Sequence, residues 1–382
     1  MTPAARLSAA ISVLERWLAG VPAEQALINW ARGSRYAGSG DRAAVRDLVF
    51  DAIRCRRSFA ALGGAETGRG LILGGLRAAG TDPAPLFTGI GHAPAPATEE
   101  PREPSDLEAL DCPEWLAPRL RDALGPDFAG VMEALRHRAP VFLRVARGSV
   151  PEVRVMLAED GVTTEPHPLA ERALKVTSGA RKVQTSRAWQ EGVVELQDAA
   201  SQAVVDALPL EDGQTVLDFC AGGGGKSLAM AARARLRISA HDADPNRMRD
   251  LPVRAARAGV RISRVSTADA LDERYDLVLA DVPCTGSGSW RRSPEGKWSL
   301  TEARLEELLG IQAEILDVVA PLSRDWLAYA TCSLLHEENG AQIDAFMSRH
   351  DGWERVREIR LTPLDGGDGF HLSLLRRIPV NR

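Results

Sequence analysis

The spacing of apolar positions changes along this chain, and the changes divide it. Leu7, Ile11, Leu14 and Leu18 recur at steps of four, three and four, which puts them on one face of a helix. Leu48, Val49 and Ile53 continue such a face after Asp41, which reads as the cap of the helix that follows. Between residues 80 and 105 the period is lost to Pro83, Pro85, Pro94, Pro96, Pro101 and Pro104. Proline fixes φ and lacks the donor a helix interior needs, so this stretch is a loop or linker. Leu107 to Arg138 reads as helical again. Short mixed segments follow: a strand at Val141–Val145, a helix from Val150 to Leu157 and a strand at Val193–Gln197. Beyond them apolar runs alternate with helical stretches, at Thr215–Phe219, Arg237–Ala240, Ile262–Ser266, Tyr275–Ala280 and Trp326–Ala330. That alternation predicts an α/β fold with a parallel, doubly wound sheet. The expected organisation is a helical domain with its proline-rich linker over 1–138, a small α+β module over 139–195, and an α/β domain over 196–382.

Length and composition agree with this division. At roughly 150 residues per domain, 382 residues make two or three domains. A hydrophobic share of 45% and a charged share of 26% exclude general disorder. No apolar run reaches the roughly 18 residues of a membrane span, and no signal segment opens the chain, so no membrane is expected and the cytoplasm is. Five widely spaced cysteines without a CxxC or a Cys/His pair imply neither a disulfide framework nor a metal site. The net charge of −5 is uneven, with nine Arg against five acids in residues 1–60 and four Arg against ten acids in residues 98–136. Nucleic-acid binding depends on local basic surface, so the acidic total does not exclude it. Arg54-Cys55-Arg56-Arg57 admits two readings, a solvated turn or a contact to RNA phosphate.

In doubly wound sheets ligands sit beyond the carboxyl ends of the strands. The first strand of the α/β half runs into Asp218-Phe219-Cys220-Ala221-Gly222-Gly223-Gly224-Gly225-Lys226-Ser227. Consecutive glycines let a ligand approach the backbone closely. The phosphate-loop pattern fails, because Cys220 stands where its first glycine belongs, and GxGxxG fails at Ser227. The second strand ends at His241-Asp242, and Asp242, 20 residues after Gly222, is placed to hold ribose hydroxyls. The third leads to Asp269, the fourth to Asp281-Val282-Pro283-Cys284, and the fifth to Thr331-Cys332-Ser333. One strand-end acid is commonly a helix cap and one cysteine commonly packing, but an acid or thiol after all five strands points to a reaction centre.

These residues resemble the Sun/RsmB-type family of S-adenosylmethionine-dependent RNA cytosine-5 methyltransferases. The resemblance rests on Asp218–Ser227, His241–Arg247, Ala268-Asp269-Ala270, Asp281–Gly288 with Arg291-Arg292 and Lys297-Trp298, and Ala330–Asn339. Gln197-Asp198-Ala199-Ala200 is similar to the family's lead-in and Gly369-Phe370-His371 to its closing strand. More weakly, Asp41-Arg42-Ala43 and Arg54 are similar to the helical NusB-like RNA-binding domain that precedes some members. The family loop usually carries Ala-Pro-Gly-Gly where this chain has Gly222-Gly223-Gly224-Gly225, and losing the proline implies a looser loop. The small-residue pattern after the fourth strand here reads Thr285-Gly286-Ser287-Gly288.

Cytosine C5 is a poor nucleophile. A thiolate that adds to C6 makes the ring an enamine, whose C5 can take a methyl from a sulfonium. A carboxyl group at N3 assists the addition. Chemistry alone leaves open which of two cysteines attacks. The resemblance implies that Cys332 attacks, that Cys284 assists release, that Asp281 holds the cytosine N3/N4 edge, and that Lys226 orders the site. It implies S-adenosyl-L-methionine contacts at Cys220, Ala221, Gly222, Gly223, Gly224, Gly225, Lys226, Asp242, Asp269 and Asp281, with no metal. It implies an RNA partner, ribosomal RNA by analogy, and a monomer. Arg291, Arg292 and Lys297 would grip RNA phosphate, with Trp290 or Trp298 available to stack on a base or to pack in the core. Two rival readings are a DNA cytosine-5 methyltransferase, which does not need the second cysteine, and a non-catalytic RNA-binding assembly factor.

Overall fold

The structure, a computed structural model, describes residues 1–378. The chain forms two compact units, one of Met1–Arg138 with Trp290–Ser299, the other of Ala139–Ser289 with the described residues from Leu300 onward.

The first unit is helical. Its principal helices are α1 (Pro3–Leu18), α2 (Ala23–Gly33), α3 (Ser39–Arg54), α4 (Arg56–Gly63) and α5 (Gly68–Ala78). Pro3 opens α1, where its missing N–H costs nothing, and Thr2 Oγ1 accepts from Ala5 N at 3.2 Å. Leu7, Leu14, Val45, Val49, Ile53 and Leu71 close one core. Asp41 is not the N-cap read from sequence. The helix begins earlier, and Asp41 is its third residue, accepting from Gly38 N at 3.3 Å and Arg6 Nε at 2.8 Å. The expected helix from Leu107 to Arg138 is broken into short pieces, including Ala117–Leu124 and Phe128–Leu135, around Pro113 and Gly125-Pro126. Asp111, fully buried, caps α4 by accepting from Arg57 N at 2.8 Å and Ser58 N at 2.9 Å.

The arginine run is not a simple solvated turn, because all three guanidinium groups are engaged inside this unit. Arg54 is buried and donates to Arg291 O at 2.9 Å and to Asp51 Oδ1 at 2.9 Å. Arg56 pairs with Glu66 and lies over the Trp17 and Trp298 rings, 5.3 and 5.5 Å from their centroids. Arg57 pairs with Glu114 at 2.6 Å. The segment Trp290–Ser299 also departs from expectation. Trp290, Arg291 and Lys297 are buried, Lys297 donates to Arg54 O at 3.1 Å, and Trp298 Nε1 donates to Ile53 O at 2.6 Å. Buried side chains are not surface grips for phosphate, which corrects the expectation for Arg291 and Lys297. Arg292 is exposed.

The second unit holds two sheets. The small one contains β1 (Val141–Val145), β2 (Thr163–Pro166), β3 (Ala173–Ser178) and β4 (Val194–Leu196) in the order β2-β3-β1-β4, with every pairing antiparallel. Helix Val150–Glu159 covers it with Val153 and Leu157. The large sheet contains β5 (Thr215–Asp218), β6 (Arg237–Ala240), β7 (Ile262–Arg264), β8 (Tyr275–Asp281), β9 (Ser323–Thr331), β10 (Trp353–Leu361) and β11 (Phe370–Arg377). Its order is β10-β11-β9-β8-β5-β6-β7. The five predicted strands are parallel neighbours, and β10 and β11 add an antiparallel edge. Leu217, Val278, Ala280, Leu327 and Tyr329 face one core layer, while Val216, Leu277, Leu279, Ala328 and Ala330 face another. Successive strand residues point to opposite faces, so a sheet covered on both faces needs continuous apolar runs.

Candidate active site

Register brings the two cysteine motifs together. β8 and β9 are parallel neighbours with Asp281 opposite Ala330, and Val282 N donates to Ala330 O at 3.0 Å. Cys284 lies three residues beyond Asp281 and Cys332 two beyond Ala330, so both thiols leave the sheet at one edge. Their sulfurs are 3.4 Å apart. On the other side β11 pairs with β9, with His371 opposite Thr331, which brings Phe370 to the same end. His371 itself is buried against Ser373 Oγ at 2.9 Å.

Between the thiols and the glycine loop stands an ion pair. Lys226 Nζ lies 2.7 Å from Asp281 Oδ2 and 4.8 Å from the centroid of the Phe370 ring. Burial works against the Lys226 charge, yet the adjacent Asp281 carboxylate outweighs it and raises the lysine above its ordinary value. The thiols differ in the same way. Cys332 is lowered, chiefly because the Cys284 thiol hydrogen-bonds its sulfur, with burial opposing. Cys284 is raised by that bond and by burial, with further repulsion from the Cys332 and Glu338 charges. A lowered thiol is the better source of thiolate, the nucleophilic form.

The glycine loop is shaped from β6. Gly222 N donates to Asp242 Oδ2 at 2.9 Å, and Arg247 pairs with the same carboxylate at 3.1 Å. Gly224 has φ +75°, and a Cβ there would lie 2.3 Å from Leu251 Cδ1, so only glycine fits. At Gly223, where the resembling family carries proline, the Arg254 guanidinium donates to the Gly223 carbonyl and pairs with buried Glu195 at 3.1 Å. A side chain from outside the loop thus supplies restraint that proline would supply from within. Gln197 Nε2 donates to Gly225 O at 3.3 Å, and Asp198 caps the following helix through Ala200 N at 2.8 Å, so the lead-in sequence holds the loop's far end.

The remaining predicted residues fall less evenly. Cys220 and Ala221 line the loop, and burial raises the Cys220 thiol well above its ordinary value. Buried Asp218 accepts from Ser227 Oγ at 2.5 Å, and burial pushes it up to about 7. Asp269 follows β7, but its carboxylate closes a capping box with Ser266, Oγ at 2.7 Å, in an exposed turn. Glu338 is the residue that sequence reasoning passed over. Fully buried, it accepts from Thr285 N at 2.8 Å, Thr285 Oγ1 at 2.5 Å, Gln312 Nε2 at 3.0 Å and Ser333 Oγ. A charged residue between Leu335 and the apolar face of Ile343 and Phe346 was its only local signal.

A family model described as 16S rRNA methyltransferase RsmB/F matches residues 205–375, and one described as the RsmF/B-like ferredoxin-like domain matches residues 112–184. The methyltransferase domain of this chain is of the RsmB/F type. Ribosomal RNA small subunit methyltransferase B of Cronobacter sakazakii is 34% identical over 282 residues, which is 69% of this chain and 66% of that protein. The match therefore falls just short of two thirds of that relative's length. Among solved structures, PH0851 superposes with a TM-score of 0.78 at 24% identity over 99% of each chain. NSun6 from Pyrococcus horikoshii with SFG superposes with a TM-score of 0.61 at 17% identity, over 70% of this chain and 99% of that one. These likenesses bear on fold. The fold is the expected one, a helical N-terminal part and a Rossmann-like methyltransferase sheet. Among the described residues no helix is long and apolar enough to cross a membrane.

Proposed function

We propose that this protein transfers a methyl group from S-adenosyl-L-methionine to C5 of a cytidine in ribosomal RNA, through a covalent bond between Cys332 and C6. The observation that carries the reading is the meeting of two thiols at 3.4 Å beside a Lys226–Asp281 pair at 2.7 Å. The cofactor supplies one thing, an electrophilic methyl on sulfonium sulfur. The glycine loop allows close approach, and Asp242 at the end of β6 offers a carboxylate of the kind that binds ribose hydroxyls. Support for the ribosomal substrate is the relative from Cronobacter sakazakii, whose name specifies the small-subunit RNA.

The protein's own groups divide the work. The Cys332 thiolate gives its electron pair to C6, and the C5–C6 π pair shifts toward C5 as Asp281 holds the N3/N4 edge. Lys226 fixes the Asp281 carboxylate. After C5 has taken the methyl, the C5 proton leaves to a base, the C5–C6 double bond re-forms and Cys332 departs as thiolate. Cys284, a neutral thiol at 3.4 Å, assists that departure. A DNA cytosine-5 enzyme would place its nucleophile at the Pro-Cys position, here Pro283-Cys284.

A denaturing gel tests the assignment. Cys284→Ala incubated with S-adenosylmethionine and ribosomal RNA should accumulate a protein–RNA adduct, and Cys284→Ala/Cys332→Ala should form none. An adduct trapped instead by Cys332→Ala would reverse the two roles. Methylation of DNA rather than RNA by the unaltered protein would replace the substrate class.

A further inference from the structure

Cys284 and Cys332 sit in separate loops, after β8 and β9, and a 3.4 Å separation between loop residues requires something to hold it. The candidate is Glu338, which bonds the residue directly after each thiol. Thr285 follows Cys284 and donates to Glu338 through both its N–H and its hydroxyl, at 2.8 and 2.5 Å. Ser333 follows Cys332 and donates its hydroxyl to Glu338 Oε2. Gln312 Nε2, from helix Glu302–Val319, donates to Oε1 at 3.0 Å and also to Pro283 O at 3.0 Å, the carbonyl just before Cys284.

The carboxylate is itself held. Tyr329 OH donates to Glu338 O at 2.6 Å, Thr331 Oγ1 donates to Asn339 Oδ1 at 2.5 Å, and Asn339 Nδ2 donates to Ser333 O at 2.9 Å. A second seam joins the loops where Ser287 Oγ meets Ser333 Oγ at 3.1 Å and accepts from Leu334 N at 2.7 Å. Glu338 has no solvent exposure, and four neutral donors satisfy its two carboxyl oxygens.

We propose that Glu338 is a positioning residue: one buried carboxylate ties the two thiol loops together, holds Cys284 and Cys332 at bonding distance, and keeps their roles distinct. Roles differ because the groups facing the thiols differ. Cys284 faces Glu338 and the Cys332 sulfur, and both disfavour its ionisation. Cys332 faces Lys226, Asp281, Ser289 and the Cys284 thiol, a set that includes the Lys226 ammonium. The unlike thiols are therefore a property of where the clamp's charge lies as well as of its geometry. The inference rests on the reading of both cysteines as reacting groups, but its first test does not require the reaction.

The test uses the full-length protein with Glu338→Ala and Glu338→Gln. Alkylation by iodoacetamide is followed at each cysteine by peptide mass across pH, with S-adenosylmethionine affinity as the check on folding. In the unaltered protein Cys332 should react at least about tenfold faster than Cys284 near neutral pH, one pK unit of preference. Glu338→Ala should bring the two rates together. It should also lower kcat for methyl transfer about 100-fold, the order of effect of a displacement near 1 Å, with KM for S-adenosylmethionine within about twofold. Glu338→Gln keeps size and some bonds without charge, so it should recover part of kcat while Cys284 stays as reactive as in Glu338→Ala. If Glu338→Ala does not bind cofactor, Glu338→Gln carries the test alone. A variant that binds cofactor normally and keeps the original ratio of cysteine rates overturns the clamp. Selective alkylation lost in the variants, together with no RNA methylation by the unaltered protein, supports the clamp and sinks the proposed reaction instead.

Discussion

Two of the four lysines are buried, Lys297 in the helical unit and Lys226 in the α/β unit. Each lies over an aromatic ring, Lys297 at 4.5 Å from Trp298 and Lys226 at 4.8 Å from Phe370. Their ionisation nevertheless moves in opposite directions. Burial lowers Lys297 to about 8, with the more distant Asp111 only partly opposing. Lys226 is raised despite burial, because Asp281 is 2.7 Å away. Lys297 has instead the Arg54 carbonyl at 3.1 Å. Burial and the ring are common to both, so the nearest acceptor decides. A carbonyl dipole does not replace a full negative charge where solvent is excluded. The α/β unit thereby keeps a stabilised cation at its proposed reaction centre, while the helical unit holds a lysine whose charge burial disfavours.

The largest effect that tests this contrast is on turnover. Lys226→Met should lower methyl transfer about 10²–10³-fold, since the Asp281 carboxylate loses its fixed partner, and Lys226→Arg should recover part of it. Single-turnover assays with far-UV circular dichroism as the folding check decide it. A change of threefold or less would mean that the retained charge does nothing for the reaction.

The next effect is on stability and runs with pH. Unfolded, Lys297 keeps its proton up to its ordinary 10.5; folded, only to about 8. Between those values the unfolded chain binds more protons, so this lysine makes stability rise with pH, and below about 8 it costs the fold about 3 kcal/mol relative to the fully deprotonated limit. Urea denaturation of Lys297→Met near pH 7 and near pH 10 should show a gain in stability smaller than that of the unaltered protein by about 2–3 kcal/mol. Parallel pH dependences would show that Lys297 is not held as a disfavoured cation.

The smallest effect concerns what the lysines share. Phe370→Leu removes the ring beneath Lys226, an interaction of about 0.5–2 kcal/mol, and should reduce turnover between about twofold and thirtyfold while leaving the Asp281 pair in place. A loss as large as that of Lys226→Met would move the weight from the carboxylate to the ring.

Much of the site was legible because its signals are local. Each predicted parallel strand was found within a few residues, and Lys226, Asp281, Cys284 and Cys332 meet where strand-end logic put them. Residue order and an adjacent parallel register are enough for that. Burial of charge was not legible. Arg291 and Lys297 look like surface cations in sequence, and Arg54, which donates to the Arg291 carbonyl and accepts from Lys297, is more than 200 positions away. Glu338 reads as a helix-start acid until Thr285, 53 residues earlier, is seen bonded to it. The antiparallel edge was only glimpsed at Gly369-Phe370-His371, because the exposed, charge-rich run Trp353–Leu361 lacks a strong apolar signal. The capping role of Asp269 was the ordinary alternative for a strand-end acid, and the structure displays it.

The helical unit takes its last segment, Trp290–Ser299, from about 150 residues beyond Arg138. Protein synthesis reads this as a delay. At about 5–20 residues per second, roughly 10–40 s separate the emergence of α1–α5 from that of the piece that completes their core. During that interval the Arg54 carbonyl lacks the Lys297 ammonium and the α1–α3 core lacks the Trp298 indole. Helices α1–α5 thus leave the ribosome well before their core can be completed, by residues encoded next to the Cys284 loop.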